Sequence, residues 1–343
     1  MAGVVPALQV GAKLGNGHFG EVFLGNDGVH GEVAVKVLAR KPAQNDAEWL
    51  AFKAGFLAEA QHLSKARHRN VVQVYHIEEL PDGNSIRFCM AYCPRGSLQQ
   101  IFDVGPMLLL DVRKVATDVS LGLDALHARE MLHRDIKPGN ILIDGTGVAQ
   151  LGDFGLVTDN LIMGYGSQAG YSDHIAHEVW LGHGTSVRTD VWALGMTLFR
   201  LLHGKAWYEE DTSPRNIVCD GGFADTLRWL PHIPKAWRRT IRKMLNDDPK
   251  LRYQSAGQVL NALSGLPTPT WSTTVTSDLI RWEQTSAERR KVVEWTRLSP
   301  RKNEWKAWSE PIGKAGRKMS LGKSDGPIGK KQAIKELETF FGT

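Results

Sequence analysis

The chain has 343 residues, 42% of them apolar and 23% charged, a balance that excludes wholesale disorder and is long enough to build a core without disulfide or metal staples. Three cysteines, Cys89, Cys93 and Cys219, are too few and too uneven for a secreted disulfide scaffold. The net charge of +5 hides an asymmetry: residues 268–343 hold 15 Lys and Arg against 9 Asp and Glu, whereas the preceding body holds 27 against 28.

A near-neutral body with a basic tail is a signal about partners, not about fold. No run of about 18 apolar residues occurs, so no membrane-spanning helix is expected. Residues 1–7 read as a short leader, without the charged start or apolar stretch of a signal peptide. The expectation is a soluble, cytoplasmic protein with no membrane partner.

In chain order, Val22-Phe23-Leu24 and Val33 to Val37 are short β-type runs separated by turn residues. From Asp46 to Arg67 the period becomes helical, with Trp49, Phe52, Phe56, Ala60 and Leu63 on one face. Strand character returns over Val71–Ile77 and Ile86–Tyr92, joined by the turn Pro81-Asp82-Gly83-Asn84. Beyond Pro94 the pattern is mainly helical. Val115, Val119, Leu123 and Leu126 form one buried stripe, and Val191 to Phe199 is apolar nearly all round, as in a central helix. Two more helices are expected around Trp237–Leu245 and Val259–Leu263, and Leu266-Pro267-Thr268-Pro269 marks a boundary.

Three clusters carry chemistry. Gly15-Asn16-Gly17-His18-Phe19-Gly20 lies between β-type runs, where glycines let backbone N–H groups approach phosphate oxygens; a flexible hairpin is the alternative. A dinucleotide fold would need a helix at the last glycine, but Glu21-Val22-Phe23-Leu24 continues as strand. Lys36 sits inside an apolar run, either facing outward or pointing inward toward a partner. Glu59, on the apolar face of its helix, supplies a partner, because a buried carboxylate needs an opposite charge or hydrogen bonds. Finally, His133-Arg134-Asp135-Ile136-Lys137-Pro138-Gly139-Asn140 is followed by Asp153-Phe154-Gly155.

Together, in this order, these motifs resemble a eukaryotic-type (Hanks-type) serine/threonine protein kinase domain over residues 8–266. The resemblance implies an α+β bilobal fold: a β-rich lobe with one helix at about 8–90, a hinge at 91–93, and a helical lobe at about 94–266. It implies ATP and Mg2+ as cofactors, a protein substrate, and autophosphorylation of this chain. Gly15, Gly17 and Gly20 would cover the phosphates, and Lys36 would hold them with Glu59 orienting it. Val22, Ala34, Met90, Tyr92 and Cys93 would line the adenine site. Asp135 would orient the substrate hydroxyl and take its proton, Lys137 would neutralise the transferring group, and Asn140 and Asp153 would bind magnesium. Lys137, two residues after Asp135, resembles Ser/Thr kinases. Asp190 would anchor the catalytic-loop backbone and Arg252 would pair with Glu178.

The segment from Asp153 to Glu178 departs from that pattern. Ala176-His177-Glu178 stands where the family has Ala-Pro-Glu, and Tyr171 follows Gly170 where it has Thr or Ser. Thr158, Tyr165, Ser167, Tyr171 and Ser172 are available phosphate acceptors. His174, His177 and His183 read as solvated or packing side chains, with a zinc site as the alternative.

Residues 267–343 form a basic, Trp-rich segment of no recognised family. Trp271, Trp282, Trp295, Trp305 and Trp308 either pack against the large lobe or stack nucleic-acid bases among the cations. Trp305 and Trp308, three residues apart, are read as one helical turn. Ile334, Leu337, Phe340 and Phe341 predict a short docking helix, and Arg317-Lys318-Met319-Ser320 resembles a basic-directed phosphorylation site through which the tail could act as a substrate or an autoinhibitor. A catalytically silent kinase-fold scaffold is the rival reading of the whole.

Overall fold

The computed structural model describes residues 8–17, 20–65, 67–152, 174–209, 218–313 and 316–343. The activation-segment residues 153–173, including Asp153 and Tyr171, lie outside the described residues, as does the side chain of Glu59.

Strands β1 (Gln9–Gly17), β2 (Gly20–Asp27), β3 (Gly31–Ala39), β4 (Val74–Glu79) and β5 (Ser85–Ala91) form an antiparallel sheet in the order β1-β2-β3-β5-β4. β3 is central and buries residues on both faces: Val33 and Val35 pack with Cys89 on one, and Leu38 packs with Trp49, Ile86 and Phe88 on the other. Helix α1 (Asp46–Lys65) packs its Trp49 against Leu38, Val74, Ile86 and Phe88. Because side chains alternate along a strand, Lys36 shares a face with Ala34 and Leu38, the α1 side. The strand expected from Val71 starts instead at Val74. Val71 makes one parallel bridge to Leu151 and ties the small lobe to the large one.

The large lobe is built from α2 (Leu98–Val104), α3 (Leu109–His127), a two-stranded hairpin β6 (Ile141–Ile143) and β7 (Ala149–Leu151), α4 (His177–Trp180), α5 (Val187–Tyr208), α6 (Phe223–Thr226), α7 (Lys235–Met244) and α8 (Ala256–Ser264). α5 is the buried axis that its all-round apolar sequence predicts, with Val191, Trp192, Leu194 and Leu198 at 0% exposure. Ser186 opens it with a capping box closed by Thr189. Gly204 kinks it near its end at φ 68°, where a Cβ would lie 2.5 Å from the backbone of Gly105.

The segment after Pro267 folds as an antiparallel meander. Its strands are β8 (Ser272–Val275), β9 (Leu279–Thr285), β10 (Arg289–Ser299), β11 (Lys302–Pro311) and β12 (Met319–Lys323), followed by α9 (Lys330–Phe341). One face, with Ile280, Trp282, Val293, Trp295, Trp305 and Ala307, joins the same buried core as the large lobe. Trp282 donates its indole N–H to His232 Nδ1 at 2.9 Å, Trp207 meets Trp295 edge-on, and Arg238 pairs with Glu338. The expected helical turn at Trp305 and Trp308 is therefore a strand. In register, Trp305 opposes Trp295 on the inner face while Trp308 opposes Val292 on the outer one, as an odd separation requires on a period of two. The C-terminal helix forms as expected, and buries Ala333 and Leu337.

Candidate active site

Two side chains converge on Asp135 through three hydrogen bonds. Its Oδ2 accepts Lys137 Nζ at 2.7 Å and Asn140 Nδ2 at 2.7 Å, and its backbone oxygen accepts the same Asn140 amide at 2.8 Å. Asp135, Lys137 and Asn140 are each at most 8% exposed. A buried carboxylate so close to a lysine is held by charge-assisted hydrogen bonds. The amide oxygen of Asn140 takes no part in those bonds, and it is the hard oxygen donor that magnesium takes.

The loop carrying these groups is fixed from below. Asp190, near the start of α5, accepts the backbone N–H groups of His133 and Arg134 and also contacts His127 Nε2 at 2.9 Å. Arg134 has φ 67°, a left-handed conformation uncommon outside glycine, held by that carboxylate. His133 is fully buried. Its Nδ1 accepts the Asp135 N–H, so its proton sits on Nε2, which faces the Gly152 carbonyl at 3.2 Å. The N–H of Gly152 in turn donates to the carbonyl of Asn140 at 2.9 Å. The backbone entering Asp153 is thus tied to Asn140, the other residue expected to bind metal.

On the small-lobe side, Lys36 is 6% exposed on β3, opposite Val22 of β2 and Phe88 of β5. Ala34 lies opposite Met90, and Gly15 opposite Val22, so the predicted adenine and phosphate residues share neighbouring strands. Gly17 and Gly20 close the β1–β2 hairpin. Gly20 must lack a side chain, because a Cβ there would lie 2.1 Å from the Val37 carbonyl oxygen. At the hinge, the Ala91 N–H donates to Gln73, Tyr92 is half-buried, and Cys93 Sγ lies 3.6 Å from Gln150 Oε1. Burial, with a contribution from Asp144, pushes the Cys93 thiol up to about 11, so it stays protonated and unreactive at neutral pH.

The predicted pair of Arg252 and Glu178 is bidentate, at 2.7 and 2.6 Å, with both residues buried. The neighbouring histidines diverge. His174 Nε2 meets Arg200 at 2.9 Å, whereas His177 Nδ1 meets the Val218 carbonyl at 2.7 Å, and among the described residues the three histidines form no metal-binding cluster. Sequence reasoning did not single out His127, whose contact with Asp190 carries no local motif. Nor did it find the β-meander of the tail, although Ile280 with Trp282 and Val293 with Trp295 repeat at the strand period.

The outer face of that meander is charged, and three of its cations have carboxylate partners. Arg281 bonds Glu283 and Glu294, Lys306 bonds Glu294, and Arg290 pairs with Glu310. Trp308 lies under Lys318, 3.8 Å from its ring centroid, and is 8% exposed. No helix among the described residues is long and apolar enough to cross a membrane.

A family model for the protein kinase domain matches residues 8–263. Serine/threonine-protein kinase PrkC of Bacillus subtilis is 30% identical over 256 residues, covering 72% of this chain and 38% of that protein. PknB of Mycobacterium tuberculosis is 29% identical over 268 residues, covering 73% and 41%. The yeast kinase TOS3 of Saccharomyces cerevisiae is 30% identical over 225 residues, covering 58% and 40%. The chain therefore spans about two fifths of the length of the relatives it matches. With the motif order, the two-lobed fold and the Asp135 cluster in agreement, the chain belongs to the protein kinase family.

Proposed function

We propose that this chain is an ATP-dependent serine/threonine protein kinase that transfers the γ-phosphate to protein hydroxyls and phosphorylates itself. The observation that carries this reading is the buried triad of Asp135, Lys137 and Asn140 held on a loop braced by Asp190. Phosphoryl transfer has a loose transition state, so the protein's contribution is positioning and charge neutralisation. Asp135 accepts the substrate hydroxyl proton and aligns its oxygen. Lys137, within hydrogen-bond reach of Asp135, places its positive charge where the transferring group gains negative charge. Asn140 and Asp153 would hold Mg2+, which would supply positive charge against the phosphates. Lys36, with Glu59 as its partner, would hold the inner phosphates, Gly15, Gly17 and Gly20 would cover them, and Val22, Ala34, Met90, Tyr92 and Cys93 would line the base site.

The domain division follows from the same reading: a kinase unit at 8–266 and an appended unit at 267–343 that braces the large lobe. The tryptophans of the appended unit are buried, and buried rings are not free to stack bases, which weighs against nucleic-acid binding. A cytoplasmic location accords with three cysteines that form no disulfide.

The test is transfer of labelled γ-phosphate from Mg-ATP to the chain and to protein substrates, compared with Asp135→Asn. Label on Ser or Thr is expected in the wild type, with a loss of about 10³-fold in the variant, equivalent to about 4 kcal/mol. ATP binding without transfer would favour the silent scaffold. Equal transfer by the variant would remove Asp135 from its role.

A further inference from the structure

The β4–β5 ladder places His76 directly opposite Cys89. Opposed residues share a face, with Cβ atoms about 4.5–5.5 Å apart. His76 reaches that face because the register slips between Val74 and His76. The extra residue, Tyr75, stacks on His30 with ring centroids 3.8 Å apart. A bulge of this kind re-aims a side chain, and bulges gather at functional positions.

The turn between β2 and β3 brings Asp27 to the same pair. A carboxylate oxygen of Asp27, a ring nitrogen of His76 and the sulfur of Cys89 all lie within 4.8 Å of one another. Asp27 Oδ1 accepts the N–H groups of Val29 and His30 at 2.9 Å each, which fixes the carboxylate and keeps Oδ2 out of those two bonds. Asp27 and Cys89 are buried, whereas His76 is only partly so, and this leaves one side of the cluster open to water.

We propose that Asp27, His76 and Cys89 form a binding site for a divalent transition-metal ion of the zinc class. One carboxylate oxygen, one imidazole nitrogen and one thiolate sulfur are donor types zinc takes, small side-chain shifts would close them on one ion, and water would complete a tetrahedron on the His76 side. The backbone bonds to Asp27 act as the outer support that orients such a ligand. Binding forms a metal–sulfur bond and releases the Cys89 proton to solvent. Burial and the nearby Asp27 carboxylate push that thiol up to about 11, and a bound cation offsets both causes. None of the three residues belongs to the nucleotide or magnesium site, so the proposal stands apart from the kinase reading. The ion would clamp the β2–β3 turn to the β4–β5 ladder, at the opposite end of β2 from Gly20.

The test uses the full chain, stripped of metal by chelator and titrated with Co2+. Tetrahedral visible absorption and a thiolate-to-cobalt charge-transfer band are expected at one equivalent, and Zn2+ should abolish both. Cobalt at the oxygen-donor magnesium site would give neither. The band should vanish in Cys89→Ala and persist when Cys93 and Cys219 are both changed to alanine. His76→Gln and Asp27→Asn, checked for folding by near-ultraviolet circular dichroism, should each weaken Zn2+ binding roughly tenfold or more. Absence of the band in the wild type, its survival in Cys89→Ala, or unchanged Zn2+ affinity in folded His76→Gln would overturn the proposal.

Discussion

The carboxylate of Asp190 accepts the backbone N–H of His133 at 2.9 Å and, through its other oxygen, the N–H of Arg134 at 2.8 Å. Two adjacent donors on the loop that carries Asp135 are thereby fixed to the buried helix α5. The same carboxylate touches His127, at the end of α3. Helix, helix and loop are joined at one side chain.

Asp190→Asn replaces one accepting oxygen with an amide donor, so one of the two N–H groups loses its partner. An unpaired buried donor costs about 1–3 kcal/mol. The loop should relax at Arg134, whose left-handed backbone depends on that support. The expected outcome is a kcat reduced by roughly tenfold or more with ATP affinity little changed. Single-turnover transfer and nucleotide titration separate the two, and an unchanged kcat would count against the bracing role.

Glu178 and Arg252 predict a different phenotype. The pair is bidentate and buried, and Arg252 also donates to the carbonyls of Asn246, Asp247 and Arg188. Glu178→Gln leaves the guanidinium buried without its counter-charge, a loss of about 3–5 kcal/mol. The variant should unfold at markedly lower urea, whereas Arg252→Lys, which keeps the charge but loses the fork, should fall between it and the wild type. Equal urea midpoints in all three would show that the ion pair carries no stability.

The candidate active-site cluster was legible in the sequence because its residues lie close together in the chain and the local loop brings them into contact. Asp135, Lys137 and Asn140 are a case of this. Lys36 was legible for a different reason: a charge inside an apolar β run is costly unless it is partnered. His127 and the tail sheet were hidden because their logic is long-range. Trp305 three residues before Trp308 fits either period, and only pairing with β10 sends the two to opposite faces. His76 and Cys89 were invisible as a pair because a bulge sets their register.

Acid should destabilise the fold before carboxylates titrate. Burial lowers His203 and His232 to about 3, from an ordinary value of 6.5. His232 accepts the Trp282 indole N–H, and His203 Nε2 accepts the Leu230 N–H, so each ring is bound in its neutral form. The unfolded chain takes up protons below pH 6.5 that the folded chain refuses until about pH 3. Their contribution is therefore complete above pH 6.5 and is lost as pH falls through that window, at about 1.4 kcal/mol per unit for each histidine. Urea midpoints between pH 7.5 and 4.5 should fall steadily, and His232→Asn should make the slope shallower. A flat profile would refute the neutral assignment.

Removing residues 268–343 should cost the kinase unit its stability. The truncated lobe would expose Trp207 and His232, which now meet Trp295 and Trp282, and would leave the mostly buried Arg238 without Glu338. Each large apolar side chain returned to water costs about 1.5–3 kcal/mol, and a whole domain is stable by only about 5–15. A chain ending at residue 267 should therefore aggregate or melt far below the full protein. The gentler variant Trp282→Phe keeps most of the ring but deletes the N–H donated to His232, and should lower stability by about 1–2 kcal/mol. Solubility, melting temperature and phosphate transfer of the truncated chain decide the matter. A soluble fragment with the full protein's melting temperature would show that the meander rests on the lobe without supporting it, and a soluble fragment with raised activity would instead revive autoinhibition by the tail.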